Sequence, residues 1–280
     1  MTAPFQNRFV ELAAERSPLC IGIDPSAESL NGWGLADDLP GLRAFCERMV
    51  EACAPLAAVI KPQSAFFERH GPAGMEVLRD TVAAAKGHGA LVIIDVKRGD
   101  ISTTAAAYGD AFLGPNSAFG GDAITASAYL GFGSLDPIFA VGRREAAGVF
   151  VVVRSSNPEG SELQQARLPD GRTVAEHLAD QIAALNAAEE PNGLGLIGAV
   201  LGATMGAEAG RLADRLPNAL LLLPGIGAQG ATIADVRSQF GAHYARVIPT
   251  ISRAIARAGP AASDLRRAVE CHIAELRTGA

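Results

Sequence analysis

The stretch IIDVKRGDIS, residues 93–102, sets an acid, a base and a second acid, Asp95, Lys97 and Asp100, at the end of an apolar run. Ile93, Ile94 and Val96 mark a buried strand, and strand alternation sends Asp95 and Lys97 to one side of it. On a half-exposed sheet they would form a surface ion pair of little energetic value. In a dry cleft the same charges matter. At an effective dielectric of about 20, two charges roughly 4 Å apart interact by about 4 kcal/mol, enough to shift a pKa by whole units or to repel a substrate anion. Other apolar runs also end in polar or reactive groups: Asp24, Lys61, Thr125, Ser155 with Ser156, and Arg253. Such groups suit proton transfer and electrostatic stabilisation of a developing charge.

The elements that must position these groups recur along the chain. Short β-rich runs begin at 19 (LCIGID), 57 (AAVIKP), 91 (LVIIDVK), 123 (AITASAY), 149 (VFVVVRS), 196 (LIGAVLGA), 219 (ALLLLPG) and 245 (ARVIPTIS). Segments of helical period lie between them, including TVAEHLADQIAAL, where Thr173 and Glu176 have the spacing of a capping box. Runs apolar on both faces imply parallel strands covered by helices, hence a closed barrel or an open doubly wound sheet. The count of eight favours a (β/α)8 TIM barrel, whose active face lies at the C-terminal ends of its strands. We read a single domain over 1–280, with an N-terminal helical segment at about 1–18. The connection at about 156–195, which contains a turn at Pro169, Asp170 and Gly171, reads as an insertion after strand 5.

The 280 residues are 49% hydrophobic, enough for a sizeable core. A net charge of −6 argues against nucleic acid or an anionic membrane as a general partner, while a small anionic substrate remains compatible. Arg8, Glu11, Glu15 and Arg16 interrupt the N-terminus where a signal peptide needs apolar residues, and no apolar run approaches the ~20 residues that span a bilayer. A cytoplasmic protein is expected. Cys20, Cys46, Cys53 and Cys271 lack metal-ligand spacing and read as reduced, mostly buried thiols. His70, His88, His177, His243 and His272 read as surface or helix-packing residues, and Trp33 as a loop anchor.

GIGAQG, Gly225 to Gly230, matches G-x-G-x-x-G after a strand, the pattern of a dinucleotide site. That fingerprint belongs to the first βα turn, with an acid about 20 residues on, and the next strand here has no terminal acid. After a seventh barrel strand the same glycines suit phosphate, with Arg253 after the eighth strand completing the site.

DVKRGDI, VIKPQ, GIDPS and GIGAQG together resemble the orotidine 5′-phosphate decarboxylase family, in its longer bacterial form (type 2), over about residues 19–255. The resemblance implies a homodimer acting on orotidine 5′-monophosphate without cofactor or metal. Lys61, Asp95, Lys97 and Asp100 match the family's catalytic array, with Asp100 coming from the partner subunit. Asp24 matches the ribose-hydroxyl ligand, and Thr104 a residue that also reaches across the dimer. Ser156 is chosen over Ser155 for the pyrimidine contact, and Gln229 and Arg253 match the phosphate ligands. Ser252 departs from the glycine many relatives carry before this arginine. In the implied chemistry, loss of CO2 leaves a C6 carbanion orthogonal to the ring π system. Lys97 meets that charge and then protonates C6, while Asp95 sits against the departing carboxylate.

The nearest rival resembles the sugar-phosphate decarboxylases and hexulose-phosphate synthases, which share D-x-K-x-x-D but use Mg2+. They place an acidic metal ligand after the second strand, where this chain has Lys61, and an ammonium there would repel the ion. A silent phosphate-binding scaffold would not need all four charged residues. Schiff-base chemistry is disfavoured because flanking carboxylates keep a lysine protonated.

Overall fold

The eight apolar runs form eight parallel strands: β1 (Cys20–Ile23), β2 (Val59–Pro62), β3 (Leu91–Arg98), β4 (Ala123–Ala126), β5 (Gly148–Arg154), β6 (Ile197–Leu201), β7 (Leu221–Leu223) and β8 (Val247–Ile251). They pair in chain order, and β8 pairs back on β1 through Cys20 with Thr250 and Ile21 with Ile251. That last pairing closes the expected (β/α)8 barrel and excludes an open sheet. The computed structural model describes residues 2–227 and 230–278.

Two-sided burial explains why the strands read as continuous apolar runs. Ile21, Ile60, Val92, Ile94, Ile124 and Val149 pack outward among the surrounding helices. Cys20, Val59, Leu91, Ile93, Ala123, Phe150, Val200, Leu222 and Ile248 form a separate cluster with Phe5 and Phe9. The N-terminal helix Phe5–Glu15 supplies those two phenylalanines, both about fully buried, with Phe5 edge-on to Phe150 at 5.7 Å. Arg8 fixes this helix by donating to Asp122 Oδ1 at 2.7 Å, while Asp122 Oδ2 accepts the Val92 N–H at 2.9 Å. The N-terminal end of the barrel is thus plugged with hydrocarbon, and the polar groups gather at the other end.

After β5, a short helix, Gly160–Gln164, precedes the crossover helix Val174–Glu189. The expected capping box forms: Glu176 N donates to Thr173 Oγ1 at 3.1 Å, and Thr173 N donates to Glu176 Oε2 at 2.7 Å. Cys46, Met49 and Cys53, on the helix Leu39–Cys53, pack into the core. Cys20, Cys46 and Cys53 are buried, which pushes each thiol up to about 12, whereas Cys271 is exposed. Among the described residues, no helix is long and apolar enough to cross a membrane.

Candidate active site

Alternation along the strands stacks a charged layer directly on the apolar one. Asp24 follows Cys20 and Gly22 at the same parity on β1, as Lys61 follows Val59, Asp95 follows Ile93 and Thr125 follows Ala123. Strand register aligns these levels, pairing Gly22 with Lys61 and Gln63 with Asp95. The carboxylate of Asp95 therefore lies between its neighbours. Lys61 Nζ donates to Oδ2 at 2.9 Å, Lys97 Nζ donates to Oδ1 at 2.5 Å, and Thr125 Oγ1 donates to the same Oδ1 at 2.8 Å.

Burial separates the two lysines in character. Lys61 is 5% exposed and Asp95 6%, while the Lys97 side chain keeps 48% of its surface. Burial opposes the charged form of Lys61, but Asp95, and next Asp24, outweigh it and hold its pKa above the ordinary lysine value. Burial likewise opposes ionised Asp95, yet Lys61 and then Lys97 hold its carboxyl well below the usual carboxylate range. The array runs from buried ammonium to buried carboxylate to Lys97, its last member, open to the barrel mouth.

The backbone bends to make this possible. β3 advances from Ile94 to Arg98 while β4 advances only from Ile124 to Ala126, so β3 bulges across Asp95, Val96 and Lys97. Lys97 takes φ 44°, a left-handed conformation unusual for a residue with a long side chain. Its N–H donates to Thr125 Oγ1 at 2.9 Å. Asp95 and Lys97 do meet on one face, but through a bulge that simple alternation does not contain.

Of the other expected ligands, Asp24 follows β1, Ser155 and Ser156 follow β5, and Arg253 follows β8. Asp24 Oδ1 is buried and has no hydrogen-bond partner among the described residues, a polar atom whose desolvation is uncompensated within the chain. The hydroxyl of Ser155 is engaged inside its own loop, donating to Asn157 Oδ1 at 2.6 Å and accepting from Gln164 Nε2 at 2.9 Å. Ser156 packs its backbone against the end of β6, where a Cβ on Gly202 would lie 2.8 Å from Ser156 N. Arg253 is exposed at the start of the short helix Arg253–Ala256 and forms no ion pair among the described residues. It borders a cavity of about 210 Å³ shared with Ser29, Trp33 and Arg257. Gly225, Gly227 and Gly230 take φ 111°, 78° and 94°, conformations that favour glycine. Gln229, between the last two, lies outside the described residues.

Asp100 and Thr104 are not brought to the array within one chain. Asp100 Oδ1 accepts the Ile101 N–H at 2.8 Å, and Asp100 forms no ion pair among the described residues. Thr104 is exposed on the helix Ser102–Phe112. On the same rim, after the adjacent strands β3 and β4, Ile101, Tyr129 and Leu130 leave 57%, 77% and 53% of their surface exposed.

Sequence reasoning missed Arg154 and the partners of Thr125 and Trp33. Thr125 stood out as a polar strand end, but the hydrogen bond it accepts from the Lys97 N–H, beside the one it donates to Asp95, depends on the bulge. Arg154, at the end of β5, is buried and donates to Glu208 Oε1 at 3.2 Å, Ser155 O at 2.7 Å and Ser161 Oγ at 2.9 Å, clamping the loop that carries Ser155 and Ser156. A charge closing a buried run was its available signal. Trp33 is an anchor as expected, and its target is the helix of Arg253: Nε1 donates to Ala256 O at 2.7 Å while the ring packs 4.3 Å from Phe45.

A closed βα barrel with an ionised Lys-Asp-Lys array at the C-terminal mouth is the architecture of a barrel enzyme. Residues 17–268 match the family model "Orotidine 5′-phosphate decarboxylase / HUMPS family", and the chain belongs to that family. It is 49% identical over 274 residues to orotidine 5′-phosphate decarboxylase of Myxococcus xanthus, covering 98% of this chain and 95% of the relative. The Streptomyces coelicolor enzyme of the same name is also 49% identical, over 98% of each chain. Among solved structures, a Streptomyces avermitilis protein assigned as an orotidine 5′-phosphate decarboxylase superposes with a TM-score of 0.93 at 48% identity, covering 99% of this chain and 96% of that one.

Proposed function

We propose that this chain converts orotidine 5′-monophosphate to uridine 5′-monophosphate and CO2, a step of pyrimidine biosynthesis, without metal or cofactor. One observation carries the reading: a buried carboxylate, Asp95, gripped on one oxygen by buried Lys61 and on the other by half-exposed Lys97. Breaking the C6–carboxylate bond leaves an electron pair in the ring plane, beyond the reach of the π system. A fixed cation is therefore the available stabiliser, and it must then give up a proton. Lys97 has the exposure and the charge for both tasks. Lys61 stays buried and charged, orienting Asp95 against the departing carboxylate. An ammonium at position 61 also disfavours the Mg2+-dependent chemistry of the sugar-phosphate relatives.

The remaining residues fit binding roles. The unpartnered Oδ1 of Asp24 suits a ribose hydroxyl, Ser156 the pyrimidine edge, and Arg253 with Gln229 the phosphate. Phosphate lies far from the bond broken, so its binding energy serves to order the site. Asp100 and Thr104 complete the array from a second subunit. The exposed apolar rim of Ile101, Tyr129 and Leu130 supports a homodimer in which each chain lends its Asp100 to the other. We place the enzyme in the cytoplasm.

The test follows the ultraviolet absorbance of orotidine 5′-monophosphate mixed with purified protein in excess EDTA. Rapid loss of the orotate band is expected. An unchanged spectrum, with protein shown to be folded and dimeric, would overturn the substrate and redirect the search to sugar phosphates with added Mg2+.

A further inference from the structure

We propose that Thr125 is a positioning residue of this site, holding the proton donor Lys97 against Asp95; the inference rests on the decarboxylase reading above. A hydroxyl has one hydrogen to donate and lone pairs to accept, and Thr125 uses both capacities on two consecutive functional residues. It donates to Asp95 Oδ1 at 2.8 Å, the oxygen that also accepts Lys97 Nζ at 2.5 Å, and it accepts the backbone N–H of Lys97 at 2.9 Å. Thr125 is 1% exposed, so water does not replace it.

The bulge explains why a hydroxyl is needed there. Between Ile94 and Arg98 the regular pairing with β4 lapses, and the Lys97 N–H finds the Thr125 side chain in place of a backbone carbonyl. A residue at φ 44° that is not glycine stays so only when its surroundings over-determine it. Thr125 supplies that constraint from the neighbouring strand. Its second bond fixes the carboxylate on which the Lys97 ammonium rests. Backbone and side chain of Lys97 are therefore referred to one oxygen atom, Thr125 Oγ1.

Thr125→Val keeps the branched shape and removes both bonds. Its kcat is expected to fall about 10²-fold, as displacement of a reacting group by an ångström does, with affinity for the product uridine 5′-monophosphate held within about threefold. Thr125→Ser, which keeps the hydroxyl, is expected to stay within about threefold of wild type in kcat. Independently of any substrate, the 13Cε resonance of Lys97, assigned with Lys97→Ala, is expected to move in Thr125→Val and to return in Thr125→Ser. Should the valine variant not fold, Thr125→Ala takes its place in every measurement. Wild-type kcat without the hydroxyl, a rise in KM alone, a serine variant as impaired as valine, or an unmoved Lys97 resonance would each overturn the proposal. An inert wild-type protein would instead defeat the decarboxylase reading, and the resonance would still decide the role of Thr125.

Discussion

Lys61 and Lys97 hold opposite oxygens of one carboxylate, Asp95 Oδ2 at 2.9 Å and Oδ1 at 2.5 Å, yet only Lys97 is open to the barrel mouth. The division of labour follows from exposure: the buried ammonium can only orient, while the exposed one can meet substrate.

Lys97→Ala is therefore expected to fold, because a half-exposed side chain leaves neither a cavity nor a buried unpaired cation. Circular dichroism should match wild type, with the thermal midpoint lowered only as far as buried Asp95 misses one of its two cations. Decarboxylation should fall by at least the ~10²–10⁴-fold ascribed to a lost proton donor. Near-normal turnover would sink the mechanism.

Asp95→Asn is expected to behave differently, since it leaves Lys61 buried without its main counter-charge. Breaking a buried pair from one side costs about 3–5 kcal/mol, readable as a lower urea midpoint at pH 7. The pH dependence has a definite sign. Asp95 has a folded-state pKa below the unfolded value of about 3.9, so its contribution is complete above that value and is lost as pH falls through the folded one. Lys61 has a raised pKa, so its contribution is complete below the unfolded value of about 10.4 and is lost only as pH rises through the folded one. In the wild type the contributions of both groups should thus stay flat from about pH 5 to 8. The variant, whose buried Lys61 has lost its main counter-charge, should lose stability as pH falls, so the gap should hold or widen toward pH 5. A gap that shrinks between pH 7 and 5 would contradict the ionised array.

Within one chain Asp100 bonds its own Ile101 N–H and leaves the array unserved. Mixing inactive Lys97→Ala with inactive Asp100→Asn should restore activity, because a heterodimer contains one site with both native residues. Random reassortment makes half the dimers mixed, each with one intact site, giving about a quarter of wild-type activity. No recovery after demonstrated subunit exchange would refute the shared site.

Trp33 joins the helix Ala27–Gly32, just after β1, to the helix that begins with Arg253, through its bond to Ala256 O at 2.7 Å. Trp33→Phe removes that bond, worth about 1 kcal/mol, and loosens the support of Arg253. Steady-state kinetics should show kcat/KM for orotidine 5′-monophosphate lowered about fivefold, with KM raised. A fall in kcat at constant KM would place Trp33 in the chemistry instead.

Much of this protein was legible along the chain. Eight apolar runs and the Thr173–Glu176 capping box are local patterns, and local patterns survive into the fold because each depends only on residues close in sequence. What the tertiary structure decided is every relation that depends on closure and register. Lys61 stands 34 positions from Asp95 yet bonds it, and Trp33 stands 223 from Ala256. The bulge that turns Lys97 to φ 44° and hands its N–H to Thr125 follows from how β3 and β4 fall out of step. No window of sequence contains such relations. Strand stagger in a closed barrel is a property of all eight pairings at once, and it alone sets which strand ends share a level and which charges lose their water.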